Sequence, residues 1–173
     1  KKQAIGPILI HSFQKALSIG KRVRYQTEIN KGSISIGSIA VDFCRNNFGD
    51  IENQIITVIG AGKIATLVAK SLQKYNTKAF FVSNRTYLRA ERLATELGGK
   101  ALRLDQLEDV LEISNIIILA TSAPHPILKK ARLEKIMKKR AENELIIIDI
   151  SVPRNIEEEI EIPYLKVYDL DGI

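Results

Sequence analysis

Ile55-Ile56-Thr57-Val58-Ile59 is a short, almost wholly apolar run that leads into Gly60-Ala61-Gly62. Past the glycines, apolar residues recur at Ile64, Val68, Leu72 and Tyr75, which is helical spacing. The same alternation of apolar run and helical stripe continues down the chain. Lys78 to Ser83 reads as a second strand, and Thr86 caps a helix that runs to Leu97 and stops at Gly98-Gly99. Lys100 to Leu104 is a short third strand, and Asp105 begins a helix through Leu107, Val110 and Leu111. Asn115 to Ala120 and Leu145 to Ile150 are strongly apolar, as parallel strands covered on both faces should be. Between them Leu133, Ile136 and Met137 mark one face of a helix. A short helical start at Pro153 and Glu157 to Glu159 precedes a last strand, Tyr164 to Asp169.

Two helices stand ahead of this series. Pro7 to Arg24 carries Leu9, Phe13, Ala16, Leu17 and Gly20 along one side, and Pro7 suits a first helical turn. Thr27 to Gly32 reads as a loop, and Ser33 is an N-cap for a second helix through Ile36, Ala40, Phe43 and Cys44. Gly49-Asp50 ends that helix. The pattern predicts an α/β fold with N-terminal helices. Its core is a doubly wound parallel sheet in the order 3-2-1-4-5-6, a Rossmann-like arrangement.

Composition changes this picture little. The 173 residues suffice for one α/β domain with an attached piece, and 45% hydrophobic residues is a globular content. No apolar run approaches the roughly 18 residues that span a bilayer, and no signal-peptide pattern opens the chain, so the expectation is a cytoplasmic protein without membrane contact. A single cysteine excludes an internal disulfide and a cysteine-built zinc site. The first residue is not Met, which suggests a piece of a longer protein.

A net charge of +6 suits an anionic ligand or RNA. Much of it sits in residues 129–140, where charges surround the Leu133, Ile136 and Met137 face, and no aromatic residue interleaves them. A solvated helix face accounts for that run, and contact with tRNA stays open. The cluster Lys21-Arg22-Val23-Arg24 falls at a helix end, where cations suit the dipole.

Candidate chemistry gathers after three strands. A glycine turn between strand and helix is the context of a dinucleotide site. Gly60 lets the chain turn off the strand, Gly62 keeps side-chain atoms off a diphosphate, and Ala65 lets the helix pack close. With Ala61, Lys63 and Ile64 they form the candidate diphosphate cradle, served by the N–H groups of the helix start. At the end of the second strand, NAD-preferring folds place an acid for the ribose hydroxyls. Here stand Ser83, Asn84, Arg85 and Thr86, and an arginine pairs with a 2′-phosphate. The residues argue for NADPH over NADH, with Arg89 flanking the adenine or phosphate and a plain surface arginine as the alternative for Arg85. Thr121-Ser122-Ala123 follows the fourth strand, where an open sheet binds ligands, and is the candidate nicotinamide contact. His11 and His125 read as structural or exposed, with a substrate contact as the lesser alternative for His125. Cys44 reads as a buried small hydrophobe.

Several of these stretches resemble glutamyl-tRNA reductase. They are Phe13-Gln14-Lys15-Ala16, Gly20 to Arg24, Ser33 to Ile36 with Ala40, Gly60 to Ala65, and Asn84-Arg85-Thr86 with Arg89-Ala90 and Leu93-Ala94. The Thr121-to-Pro126 loop and Asp149-Ile150-Ser151-Val152-Pro153-Arg154 are the most family-specific, and Tyr168 to Asp171 resembles the hinge into a dimerising helix. The glycine turn and Asn-Arg-Thr also occur in shikimate dehydrogenase.

The resemblance implies that residues 1–32 are the tail of an upstream catalytic domain and its linker, and residues 33–173 an NADPH-binding domain. It implies an enzyme in which a cysteine thiolate takes the glutamyl group from glutamyl-tRNA as a thioester. Hydride from NADPH then gives glutamate-1-semialdehyde, the entry to tetrapyrrole (porphyrin) biosynthesis. It also implies a homodimer through a further C-terminal helix, and contact with the next enzyme of the pathway. The family's nucleophile lies in a Thr-Cys-Asn-Arg motif. Cys44-Arg45-Asn46 echoes it only superficially, so no catalytic residue and no metal ligand is assigned and the piece alone should be inactive. His125 and Arg154 carry no assigned role. The alternatives are a shikimate-dehydrogenase-like NADP oxidoreductase and a nucleotide-sensing module without chemistry.

Overall fold

A computed structural model describes residues 6–27, 35–75, 77 and 79–173. The chain divides into two units, Lys1–Ile34 and Ser35–Ile173. Among the described residues the first holds one helix, α1 (Pro7–Thr27), none of whose residues is buried.

The second unit is a six-stranded parallel sheet flanked by helices. Its strands are β1 (Ile55–Ile59), β2 (Ala79–Asn84), β3 (Lys100–Arg103), β4 (Ile116–Leu119), β5 (Leu145–Asp149) and β6 (Leu165–Asp169). They lie in the order β3-β2-β1-β4-β5-β6, as the pattern predicts. β-Branched and leucine side chains fill β4 and all of β5 but its last residue, Asp149, and every residue of both is buried. These runs pack apolar side chains on both faces, which a central parallel strand requires.

Each face has its own core. On one, α2 (Ile36–Phe48), α3 (Lys63–Leu72) and α4 (Tyr87–Leu97) cover Ile56, Val58, Val82, Ile118 and Ile148. On the other, α5 (Leu107–Ile113) and α6 (Lys130–Lys139) cover Ile59, Ile117, Leu119 and Ile147. α2 crosses α3 closely. A Cβ on Gly37 would lie 2.5 Å from Val68 N, so only glycine lets the helices meet there. Phe43 and Phe48 close the far end of the same core against Tyr168, with ring centroids 4.9 and 5.7 Å away.

The structure departs from the sequence reading at several places. α1 runs on to Thr27, and the rest of the loop read at 27–32 lies outside the described residues. Ser33 lies outside the described residues, and the N-cap of α2 is Ser35. Ser38 N–H donates to Ser35 Oγ at 3.1 Å and Ser35 N–H to Ser38 Oγ at 2.9 Å, a reciprocal box that fixes the start. The buried stripe of α3 is centred on Ala65, Val68, Ala69 and Leu72, which leaves Ile64 on its rim, 37% exposed. Asp105 sits in a short 3-10 turn, Leu104–Gln106, and α5 starts after it. Residues 157–159 form no helix. Glu157 N–H is engaged elsewhere and donates to Leu128 O, beside Asn155 O, which accepts Ile127 and Leu128 N–H.

Among the described residues no helix is long and apolar enough to cross a membrane, and no cluster of three metal-ligating side chains occurs.

Candidate functional site

Strand order reverses between β1 and β4: the chain winds outward through β2 and β3 on one side and through β5 and β6 on the other. At such a point the connections leave in opposite directions and a crevice opens beyond the carboxyl ends of the strands. Two loops wall it here, Gly60–Gly62 after β1 and 120–123 after β4. They are tied at their base, where Ala120 N–H donates to Ile59 O at 2.8 Å.

The two glycines serve different ends. Gly60 has φ +130°, and a Cβ there would lie 2.2 Å from Ala120 O. The fold itself demands that glycine. Gly62 has φ −90°, which any residue adopts, and a Cβ on it would meet no protein atom within 4 Å. Nothing inside the described protein requires it to be small. Gly62 is also the N-cap of α3 and offers no side-chain bond to the first turn. The helix start is left with outward N–H groups and the positive end of its dipole. Small residue, open space and free donors together fit a diphosphate. Beside them, Ala61 is half-buried, Lys63 is exposed, and Ala65 is fully buried against the sheet.

The end of β2 adjoins this turn, since Gly60 N–H donates to Ser83 O at 2.7 Å. Ser83 itself is 0% exposed, and its hydroxyl has no hydrogen-bond partner among the described residues. That leaves a buried polar atom unsatisfied at the carboxyl end of β2. Asn84, half-buried, donates from Nδ2 to Thr86 O at 3.1 Å and shapes the turn. Thr86 is the N-cap of α4, as predicted, yet its hydroxyl makes no capping bond. Arg85 and Arg89 are exposed, and neither has an acidic partner within ion-pair distance among the described residues. Two unpaired guanidinium groups at an uncapped helix start form an anion-seeking surface.

Across the crevice the Thr121–Ala123 loop is braced from β5. Asp149 carboxylate oxygens accept the N–H groups of Ser151, Asn155 and Ile156, and Asn155 bonds to both Thr121 and Ala123. Sequence reading missed Asn155. Its one local signal was a polar residue following a buried strand's terminal aspartate. His125 is exposed in the same loop. Arg154 pairs with Asp169 at 2.5 Å and with Asp171 at 3.5 Å.

Cys44 stands apart, buried in α2, and burial pushes its thiol up from 9.0 to about 12. A thiol so held carries almost no thiolate at neutral pH and is no nucleophile. The basic run is also less basic than it reads. Glu108 of α5 lies 3.9 Å from Arg132 and 3.4 Å from Lys135, Glu112 pairs with Lys139, and Arg140 is turned inward onto backbone carbonyls.

Known proteins share this arrangement. A family model described as Shikimate / quinate 5-dehydrogenase matches residues 42–173. The glutamyl-tRNA reductase of Methanosarcina mazei is 44% identical over 174 residues, covering 100% of this chain and 39% of that protein. The solved glutamyl-tRNA reductase of Methanopyrus kandleri superposes with a TM-score of 0.74 at 38% identity, over 96% of this chain and 42% of that one. The nucleotide binding domain of the Thermoplasma volcanium enzyme does so with a TM-score of 0.62 at 25% identity, over 82% of this chain and 89% of that domain. The chain thus spans about two-fifths of the length of the curated relatives it matches, 39% for the first. Its fold is that of a dehydrogenase nucleotide-binding domain, which supports binding of NAD(P). The chain belongs to the shikimate / quinate 5-dehydrogenase family, and along its whole length it resembles the glutamyl-tRNA reductases.

Proposed function

We propose that this chain is the NADPH-binding part of a glutamyl-tRNA reductase. The observation that carries the reading is the β1–β4 crevice with Gly62 at its mouth, where a side chain is missing and no protein atom accounts for it. The diphosphate lies along Gly60 to Ala65, held by the first N–H groups of α3. Asn84, Arg85 and Thr86 take the 2′-phosphate, with Arg85 pairing to it and Arg89 flanking. Ser83 lies beside them with its hydroxyl buried and without a hydrogen-bond partner among the described residues. Thr121 to Ala123 line the nicotinamide half. When bound, NADPH supplies the hydride that reduces a glutamyl thioester to glutamate-1-semialdehyde.

This chain's residues bind and orient that cofactor. The cysteine that forms the thioester belongs to a part of the protein outside these 173 residues, since Cys44 is buried and neutral. Residues 1–32 are assigned to that catalytic part and 33–173 to the nucleotide domain. Support for the division comes from α1, on which Ile8, Leu9, Phe13 and Leu17 are all more than half exposed. Four large apolar side chains so placed need a cover. Glutamyl-tRNA as substrate, a homodimer, contact with the next enzyme of the pathway and a cytoplasmic location belong to the same proposal.

The family model's description favours a second reading, an NADP-linked oxidoreductase of the shikimate type. The 44% identity across the whole chain favours the first. The test is an assay of the longer protein that carries this chain, with glutamyl-tRNA and NADPH against shikimate and NADP⁺. Semialdehyde formation supports the reading. Turnover of shikimate alone, or none of either by a folded protein, sinks it.

A further inference from the structure

The crevice loop after β4 is held in place by residues from another strand. β5 ends at Asp149, which is 1% exposed. Its Oδ1 accepts Ser151 N–H at 2.9 Å, and its Oδ2 accepts Asn155 N–H at 2.6 Å and Ile156 N–H at 3.1 Å. Three backbone donors on one buried carboxylate fold residues 150–156 back over the end of the strand. Two side chains of that segment then meet the loop. Ser151 Oγ accepts Thr121 N–H at 3.1 Å. Asn155, 0% exposed, accepts the Thr121 hydroxyl on Oδ1 and donates from Nδ2 to Ala123 O at 3.0 Å and Pro153 O at 3.2 Å. Thr121 Oγ1 also accepts Ala123 N–H at 3.0 Å.

This leaves a definite remainder. The N–H and hydroxyl of Thr121 are spent inside the protein, and so are the N–H and carbonyl of Ala123. Ser122 is exposed, and among the described residues its N–H and hydroxyl enter no hydrogen bond. We propose that Asp149 and Asn155 are positioning residues that fix the Thr121–Ala123 loop, so that Ser122 is the residue presenting polar groups to the nicotinamide carboxamide. The inference rests on the nicotinamide reading given above. It differs from a purely structural role in one respect. It acts on one half of the cofactor only, because Gly62 and Arg85 lie on the opposite wall and share no hydrogen bond with this network.

The experiment titrates the chain with NADPH and with 2′-phospho-ADP-ribose, which lacks only the nicotinamide. It follows affinity by calorimetry and the emission of the bound reduced nicotinamide by fluorescence. In Asn155→Ala, NADPH affinity falls tenfold or more and the emission moves toward that of free NADPH. Affinity for 2′-phospho-ADP-ribose changes less than twofold. Thr121→Val keeps the side chain's shape and removes its hydroxyl, so it shows the same split should Asn155→Ala fail to fold. Thr121→Ser, which restores the hydroxyl, recovers NADPH binding. Equal weakening of both ligands, or of neither, in a folded variant overturns the proposal. Failure of the unsubstituted chain to bind either ligand overturns the cofactor reading and this inference with it.

Discussion

Gly60 and Gly62 stand two residues apart and answer to different forces. Gly60→Ala puts a Cβ against Ala120 O at a φ that alanine avoids. It should cost about 2 kcal/mol or more of stability in urea unfolding. Gly62→Ala enters open space in an ordinary conformation. Its stability should stay within about 0.5 kcal/mol of the parent while NADPH affinity drops. A Gly62→Ala protein that binds as before would remove the diphosphate assignment. The spacing of the small residues was legible in the sequence. The reason for Gly60 was not, because the atom that forbids a side chain belongs to Ala120, far off along the chain. Ser83 marks the same limit. Its position after an apolar run suggested a phosphate ligand, and nothing local shows that its hydroxyl is buried without a hydrogen-bond partner among the described residues. Likewise, nothing local announces that Asn155 holds the loop at Thr121.

At the scale of elements, the sequence was most readable where one force dominates. β4 and β5 are runs of large apolar residues, every one of them buried, and the alternation of strand and helix with right-handed crossovers leaves few orders for a parallel sheet. Helix ends and the 150–164 crossover were harder, because backbone bonds to distant segments decide them. Arg140 illustrates this. It read as one cation in a basic run, yet it is 5% exposed and donates to Leu111 O at 2.8 Å, Glu112 O at 2.7 Å and Glu144 O at 2.7 Å. It pins the end of α5 to the turn before β5. Arg140→Met should cost about 2–4 kcal/mol in chemical denaturation, since buried carbonyls lose a charged donor. Lys139→Ala, which breaks an exposed pair, should leave the denaturation midpoint almost unchanged. In α2, Cys44 should resist thiol reagents at pH 8 in the native protein and react once it is unfolded. Burial raises its folded pKa from 9.0 to about 12. The stabilising share of the neutral thiol is therefore complete below pH 9 and is lost as the pH climbs toward 12. The stability gap between the parent and Cys44→Ala should narrow over that window.

At the scale of the whole molecule, one geometric fact organises the rest: the sheet winds outward from β1 and β4, and the candidate ligand groups gather at the carboxyl ends of β1, β2 and β4. Diphosphate turn, guanidinium pair and braced loop occupy three sides of that crevice. The chain covers 39% of its first relative. The central claim is therefore selective binding of NADPH, with Arg85 as the selector. The direct measurement is a calorimetric titration of the chain with NADPH and NADH, repeated on Arg85→Ala. Loss of a charge-assisted pair with the 2′-phosphate is worth about 1.5–3 kcal/mol, about ten- to a hundredfold in affinity. NADPH should bind the parent more tightly than NADH by that factor, and Arg85→Ala should bring the two together. Equal binding of both cofactors by the parent, or an unchanged preference in Arg85→Ala, would contradict the account.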